Sequence, residues 1–237
     1  MTDTLDIGRG RPLAGILTAA LIAGLIAGLL ATALQAIWVW PLIAQAEIYE
    51  EAAEHGTTHG AAGHDHGDTP VSPVTRVALS VLTDVAVGVG FALLAAAAMV
   101  LAGRRLGWRR GLAWGAAGYA AVMLAPALGL QPVPPGVESG PLEARQIWWI
   151  ATVLCSAAGL ALILLARGRL RFHAIAAGIV LLVLPHLVGA PVGPPEGSAP
   201  LALRRQFAVA VLLTSLPVWL LTGGLLGGLL PRYLRAP

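Results

Sequence analysis

The chain has 237 residues, 57% hydrophobic and only 11% charged, whereas an ordinary soluble domain is about one-quarter charged. It carries a net charge of +3 through arginines and no lysine, and these lie in short segments between apolar runs, which argues against nucleic-acid binding. The single cysteine, Cys155, sits inside an apolar run, so neither a disulfide framework nor a paired-thiolate metal site is available.

The first apolar run, Leu13 to Trp40, is longer than the ~7–15 residues of a secretory h-region and reads as a retained membrane span. After it comes a polar stretch, residues 45–76, rich in histidine and acid. Further runs follow at Val77 to Ala102, Gly111 to Leu130, Ile147 to Ala166, Phe172 to Gly189 and Phe207 to Leu230. The fifth run is the shortest. The expected fold is all-α: one transmembrane helix bundle over residues 1–237, with about six spans or else five, and with 45–76 as a loop within it.

The arginines sort by side when six spans are counted. Arg9, Arg11, Arg104, Arg105, Arg109, Arg110, Arg167, Arg169, Arg171, Arg232 and Arg235 share one face, and Arg76, Arg145, Arg204 and Arg205 the other. The positive-inside rule then puts both termini in the cytoplasm. The opposite face collects Glu47, Glu50, Glu51, Glu54, Asp65, Asp68, Glu138, Glu143 and Glu196, an acidic surface that attracts cations.

A weak repeat marks the outer ends of the spans: Leu124 to Gly129 and Leu184 to Gly189 each carry a proline and precede a proline-rich loop and an Arg-Gln pair. Trp40, Pro41 and Leu42 resemble a third copy, and the implied unit is a helical hairpin. Small-residue pairs four apart, at Gly24 and Gly28, Gly111 and Gly115, Gly223 and Gly227, and Gly224 and Gly228, suit close helix packing. Trp38, Trp40, Trp148 and Trp149 fall near the outer boundary and Trp108 and Trp114 near the inner one, as interfacial anchors would.

Two groups of residues could carry chemistry. In the outer loop, Glu47, Glu50, Glu51 and Glu54 stack on one side of a helix if the first span continues. His55, His59, His64, Asp65, His66 and Asp68 follow among glycines that are expected to fray that helix. Imidazole with carboxylate suits divalent cobalt, nickel or zinc, and stacked like charges favour a bound cation. A solvated linker is the plainer alternative. Within or at the edge of the spans lie Gln35, Asp84, Gln146, His186 and Gln206; ionisable groups there are costly and mark functional candidates. Asp84 and His186 could equally serve as interhelical hydrogen-bond partners. No phosphate loop, zincin pair or nucleophile with an evident base is present, so an enzyme is not expected.

The run from Leu34 through Gln35, Trp38, Pro41 and Ile43 to Glu47, Tyr49 and Glu50, with Gly88, Gly90 and Phe91 after the His-rich loop, resembles the family of probable cobalt transporter subunits, CbtA. So do Leu124 to Leu130, Arg145 with Gln146, Trp148 and Trp149, and Leu184 to Pro191. The likeness extends over nearly the whole chain, in order. It implies a multi-pass protein of the bacterial inner membrane that imports cobalt for cobalamin synthesis beside a small single-span subunit, CbtB. It also implies about five spans, one fewer than the arginines suggest. The cation is then cargo, with no resident cofactor; an oligomer is compatible, and membrane lipid is the only other partner expected. On this reading the loop captures the cation and Gln35, Asp84 and His186 form a first station inside the bilayer. Binding or sensing without transport is the competing reading.

Overall fold

The computed structural model describes residues 10–57, 72–103, 106–138, 140–193 and 196–234. Helix α1, Gly10–Trp38, is 29 residues long, about 43 Å at 1.5 Å per residue and more than enough for ~30 Å of hydrocarbon. It stops at Val39, and α2, Trp40–Thr57, begins at once. Pro41 has no N–H to offer the carbonyl one turn back, so the ladder breaks there. The expected continuation of the first span is thus a second helix, and it runs on through Gly56 to Thr57, the last residue described before the loop.

Helix α3, Pro73–Leu101, starts with Ser72 accepting the Thr75 backbone N–H at 3.2 Å and with proline in its first turn, both favourable helix starts. Helix α4, Trp108–Tyr119, passes into a π-helical turn, Ala120–Leu124, and a short α5, Ala125–Ala127. The wide turn immediately precedes Pro126, whose missing N–H interrupts the regular ladder. Then come α6, Leu142–Leu165, α7, Arg171–Val188, and α8, Leu201–Leu234. Five of these helices, α1, α3, α6, α7 and α8, are each long and apolar enough to cross a membrane.

The α4 to α5 segment is the sixth expected pass, and its packing shows where it runs. A Cβ on Gly111 would meet the backbone of Gly223 and Gly227, and one on Gly115 would meet Trp219 and Leu220. The Tyr119 hydroxyl donates to the Leu212 carbonyl at 3.1 Å. Rising numbers on α4 meet falling numbers on α8, so α4 lies antiparallel along the middle of a long apolar helix. With α4 counted beside the five long helices, six segments of alternating direction result, and the start of α1 meets the end of α8 where Gly15 lies against Tyr233.

Four helix pairs build the bundle, α1 with α3, α4 with α8, α1 with α8 and α6 with α7, and three of them meet at glycines. Gly24 and Gly28 of α1 sit on Gly88, Val89 and Val85 of α3; Gly111 and Gly115 of α4 sit on α8; Gly159 of α6 faces Gly178 of α7. Without side chains at these points the backbones approach closely, which supplies van der Waals contact where lipid gives no hydrophobic drive. Gly224 touches only Leu112 and Gly228 faces open space, so of the two overlapping glycine pairs on α8 only one makes the seam. The repeat seen in the sequence therefore survives at the outer loops, whereas the packing partners are α4 with α8 and α6 with α7.

The main core lies at the end near the termini: Ala19, Ala20, Ala23, Ala92, Ala96, Met99, Leu226 and Leu230 are buried together between α1, α3 and α8. A second cluster closes the opposite end, where Ala46 of α2 packs with Val137, Ala199 and Leu203. There the two proline-rich loops meet in a short antiparallel pairing, β1, Val137–Glu138, with β2, Glu196–Gly197. Arg204 holds the second loop by donating to the Ala199 carbonyl at 2.7 Å and the Gly197 carbonyl at 2.6 Å.

Candidate metal route

The intramembrane carboxyl of Asp84 is met from α1. Thr32 Oγ1 donates to its Oδ2 at 2.7 Å, and Gln35 Nε2 donates to its Oδ1 at 3.1 Å. Thr32 also lies 3.3 Å from the Gly28 carbonyl. Gly28 is what permits this arrangement, because a Cβ there would fall 2.8 Å from the Asp84 carbonyl oxygen and 2.5 Å from Val85 Cα. Residues 28, 32 and 35 share one face of α1 at spacings of four and three. The close approach at Gly28 therefore delivers Thr32 and Gln35 to the carboxyl one and two turns further on. Asp84 lies eleven residues past Pro73, the start of α3, roughly 16 Å along that helix by helical rise.

His186 is elsewhere. It sits in the last turns of α7, its ring edge-on to Trp148 with centroids 5.9 Å apart. Helix α7 packs along α6 and makes no extended contact with α1 or α3, so Gln35 and Asp84 are brought together and His186 is not brought to them. Trp148 is buried, 7% exposed, with its Nε1 donating to the Pro185 carbonyl at 3.2 Å and its ring filling the space beside Gly129. It is thus a packing residue that fixes the end of α7, where an interfacial anchor was expected. Trp114 likewise packs against the main core. Trp38 and Trp108 do face outward, as anchors should.

Above Asp84, α2 carries the acidic stripe. Its inward face runs from Val39 through Leu42 and Ala46, and Glu50 continues that line. The Glu50 carboxyl carbon lies 2.9 Å from where a Cβ on Gly136 would stand, and Gly136 has a φ of +71°, so glycine meets both the backbone and the steric demand of that turn. Glu47 is half-buried, whereas Glu51 is exposed. The side chains of Glu54 and His55, and all of His59, His64, Asp65, His66 and Asp68, lie outside the described residues. Among the described residues, no three of His, Cys, Asp and Glu gather closely enough to hold a metal ion. Gln206 is exposed at the start of α8. Gln146 lines a cleft beside Arg145.

Sequence reading missed Thr32. The signal that could have found it is its spacing of three from Gln35 and four from Gly28.

The family described as probable cobalt transporter subunit (CbtA) matches residues 13–231, which takes in nearly all of α1 and α8 and everything between them. The chain belongs to the CbtA family. No curated protein and no solved structure matches it. The family is described as probable cobalt transporter subunits, and the five long apolar helices fit a membrane protein. Within this CbtA-family bundle, Asp84 is a carboxyl well inside a membrane-spanning helix, with two donors from α1 orienting its oxygens.

Proposed function

We propose that this chain is the membrane-embedded subunit of a divalent-metal uptake system of the bacterial inner membrane, with cobalt the favoured cargo. The outer segment 45–76 captures the cation through Glu47, Glu50, Glu51, Glu54, His55, His59, His64, Asp65, His66 and Asp68. Asp84 with Gln35 and Thr32 receives it within the bundle. The observation that carries this reading is the Asp84 carboxyl held by two α1 side chains, one turn below the point at which α1 gives way to the acidic α2.

The chemistry suits a transient site. A carboxyl and a side-chain amide oxygen are hard ligands with modest field strength, and a hydroxyl adds a third oxygen. Cation entry requires Gln35 to turn its amide, since in the present arrangement it offers N–H to the carboxyl. An inside-negative potential favours inward movement by about 2.3 kcal/mol per charge per 100 mV, twice that for a divalent ion. A small single-span partner of the CbtB kind completes the system on this reading.

Whole-cell cobalt content tests it. Cells expressing the chain with its partner should accumulate more cobalt than cells with the partner alone, and Asp84→Asn should remove most of the difference while the protein remains in the membrane. Equal cobalt content with and without the chain overturns uptake.

A second reading, a binding or sensing subunit that moves no ion itself, is favoured by one observation. The end of the bundle where α1 starts and α8 ends is sealed by Ala19, Ala20, Ala23, Ala92, Ala96, Met99, Leu226 and Leu230, whose side chains offer a cation no oxygen or nitrogen ligand and only the soft thioether of Met99. Cobalt bound by the purified chain without flux into reconstituted vesicles would decide for it.

A further inference from the structure

A cleft of about 590 Å³ opens between the π turn after α4, α5 and the first turns of α6. We propose that it binds one anionic glycerophospholipid, with the lipid phosphate at Arg145 and an acyl chain along the π turn. The cleft changes character along its length. Arg145 and Gln146 line one end, in the first turn of α6, and Val122 and Met123 of the π turn with Ile150 line the other. Trp149, on the same lining, is partly exposed at 37%, as suits a ring at the headgroup level.

The charge argument is specific. Arg145 Nε is shielded from solvent and has no hydrogen-bond partner among the described residues, although a guanidinium N–H in such a place calls for an acceptor. Phosphate is the acceptor that an arginine fork fits best. A metal cation is excluded by the arginine itself, so this cleft lies off any cation route and the inference holds whatever the cargo. A free phosphate would satisfy only the polar end and make no use of the apolar stretch at Val122, Met123 and Ile150. A lipid matches both ends, and the volume falls in the ~300–1,000 Å³ range of small-molecule sites.

Native mass spectrometry of the full chain in mild detergent, with phosphatidylglycerol or phosphatidylcholine added, tests the assignment. Phosphatidylglycerol should be retained preferentially, and Arg145→Gln should cut that preference roughly five-fold, the ~1 kcal/mol contributed by one arginine near anionic headgroups. Arg76→Gln, an exposed arginine at the same end of the bundle, should leave it unchanged. Met123→Trp, which fills the apolar end and keeps Arg145, should also reduce retention, so the test does not rest on one variant's folding. An unchanged preference in Arg145→Gln, or full displacement of the lipid by millimolar inorganic phosphate, overturns the proposal.

Discussion

Thr32 makes one bond that the other span threonines do not. Thr18, Thr152, Thr214 and Thr222 each return their hydroxyl to the carbonyl four residues back at 2.7–2.8 Å, the usual way to satisfy a hydroxyl in a membrane helix. Thr32 has its own such carbonyl at 3.3 Å and instead makes its shorter bond, 2.7 Å, to Asp84 on another helix. Thr32→Val removes that donor at nearly constant shape. Interhelical hydrogen bonds in membranes are worth about 0.6 kcal/mol on average and up to ~1.7, so thermal stability in detergent should fall only slightly. Cobalt accumulation should fall several-fold, and Thr32→Ser should restore it. Unchanged accumulation alongside a lowered melting temperature would reduce Thr32 to a structural contact.

Among the elements, the pairing of α1 with α3 decides whether the Asp84 cluster exists. Gly28→Leu would force a side chain into the backbone of Asp84 and Val85. Overpacking of this kind costs about 1–3 kcal/mol, and here it also pulls Thr32 and Gln35 off the carboxyl. The variant should melt at a lower temperature and accumulate little cobalt. Gly90 lies on the same α3 with nothing near its missing Cβ. Gly90→Ala should therefore be neutral or stabilising by roughly 0.5–1 kcal/mol, the helix-interior difference between the two residues. If both substitutions have the same effect, close approach at Gly28 is not what shapes the site. The break at Val39 works at this scale too: it turns a stripe of acids into a separate helix whose inner face, at Ala46, is anchored by the two outer loops.

For the whole molecule, the alternating helices put the start of α1 beside the end of α8 and the acidic α2 at the far end, beside β1, β2 and the start of α8. Cys155 is the only cysteine and is partly buried, so a Cys155→Ala background suits labelling with a membrane-impermeant maleimide. Tyr49→Cys, exposed on α2, should label on intact cells. Leu234→Cys, exposed at the end of α8, should label only after permeabilisation. Labelling of both from outside would contradict the side assigned by the arginines. The same architecture bears on transport: a route past Asp84 must part the tight seam of Ala20, Ala23, Ala92 and Ala96.

Length and hydropathy carried the helical membrane bundle and its alternation, because each is a property of the chain summed over ~20 residues and is imposed by the bilayer, while the distribution of arginine gives the side on which the acidic end is expected. The glycine pairs announced close packing, although only the folded chain shows that α4 takes α8, at long sequence separation, and α6 takes α7. Asp84 was legible as a lone carboxyl in an apolar run, and Gln35 as a polar residue near it in depth. That the two meet, that Thr32 joins them and that His186 does not was decided by helix rotation and by the approach at Gly28, which periodicity within one helix cannot report. Trp148 makes the same point. Its place in the sequence is that of an anchor at the membrane surface, yet the space left by Gly129 and the carbonyl of Pro185 draw it inward.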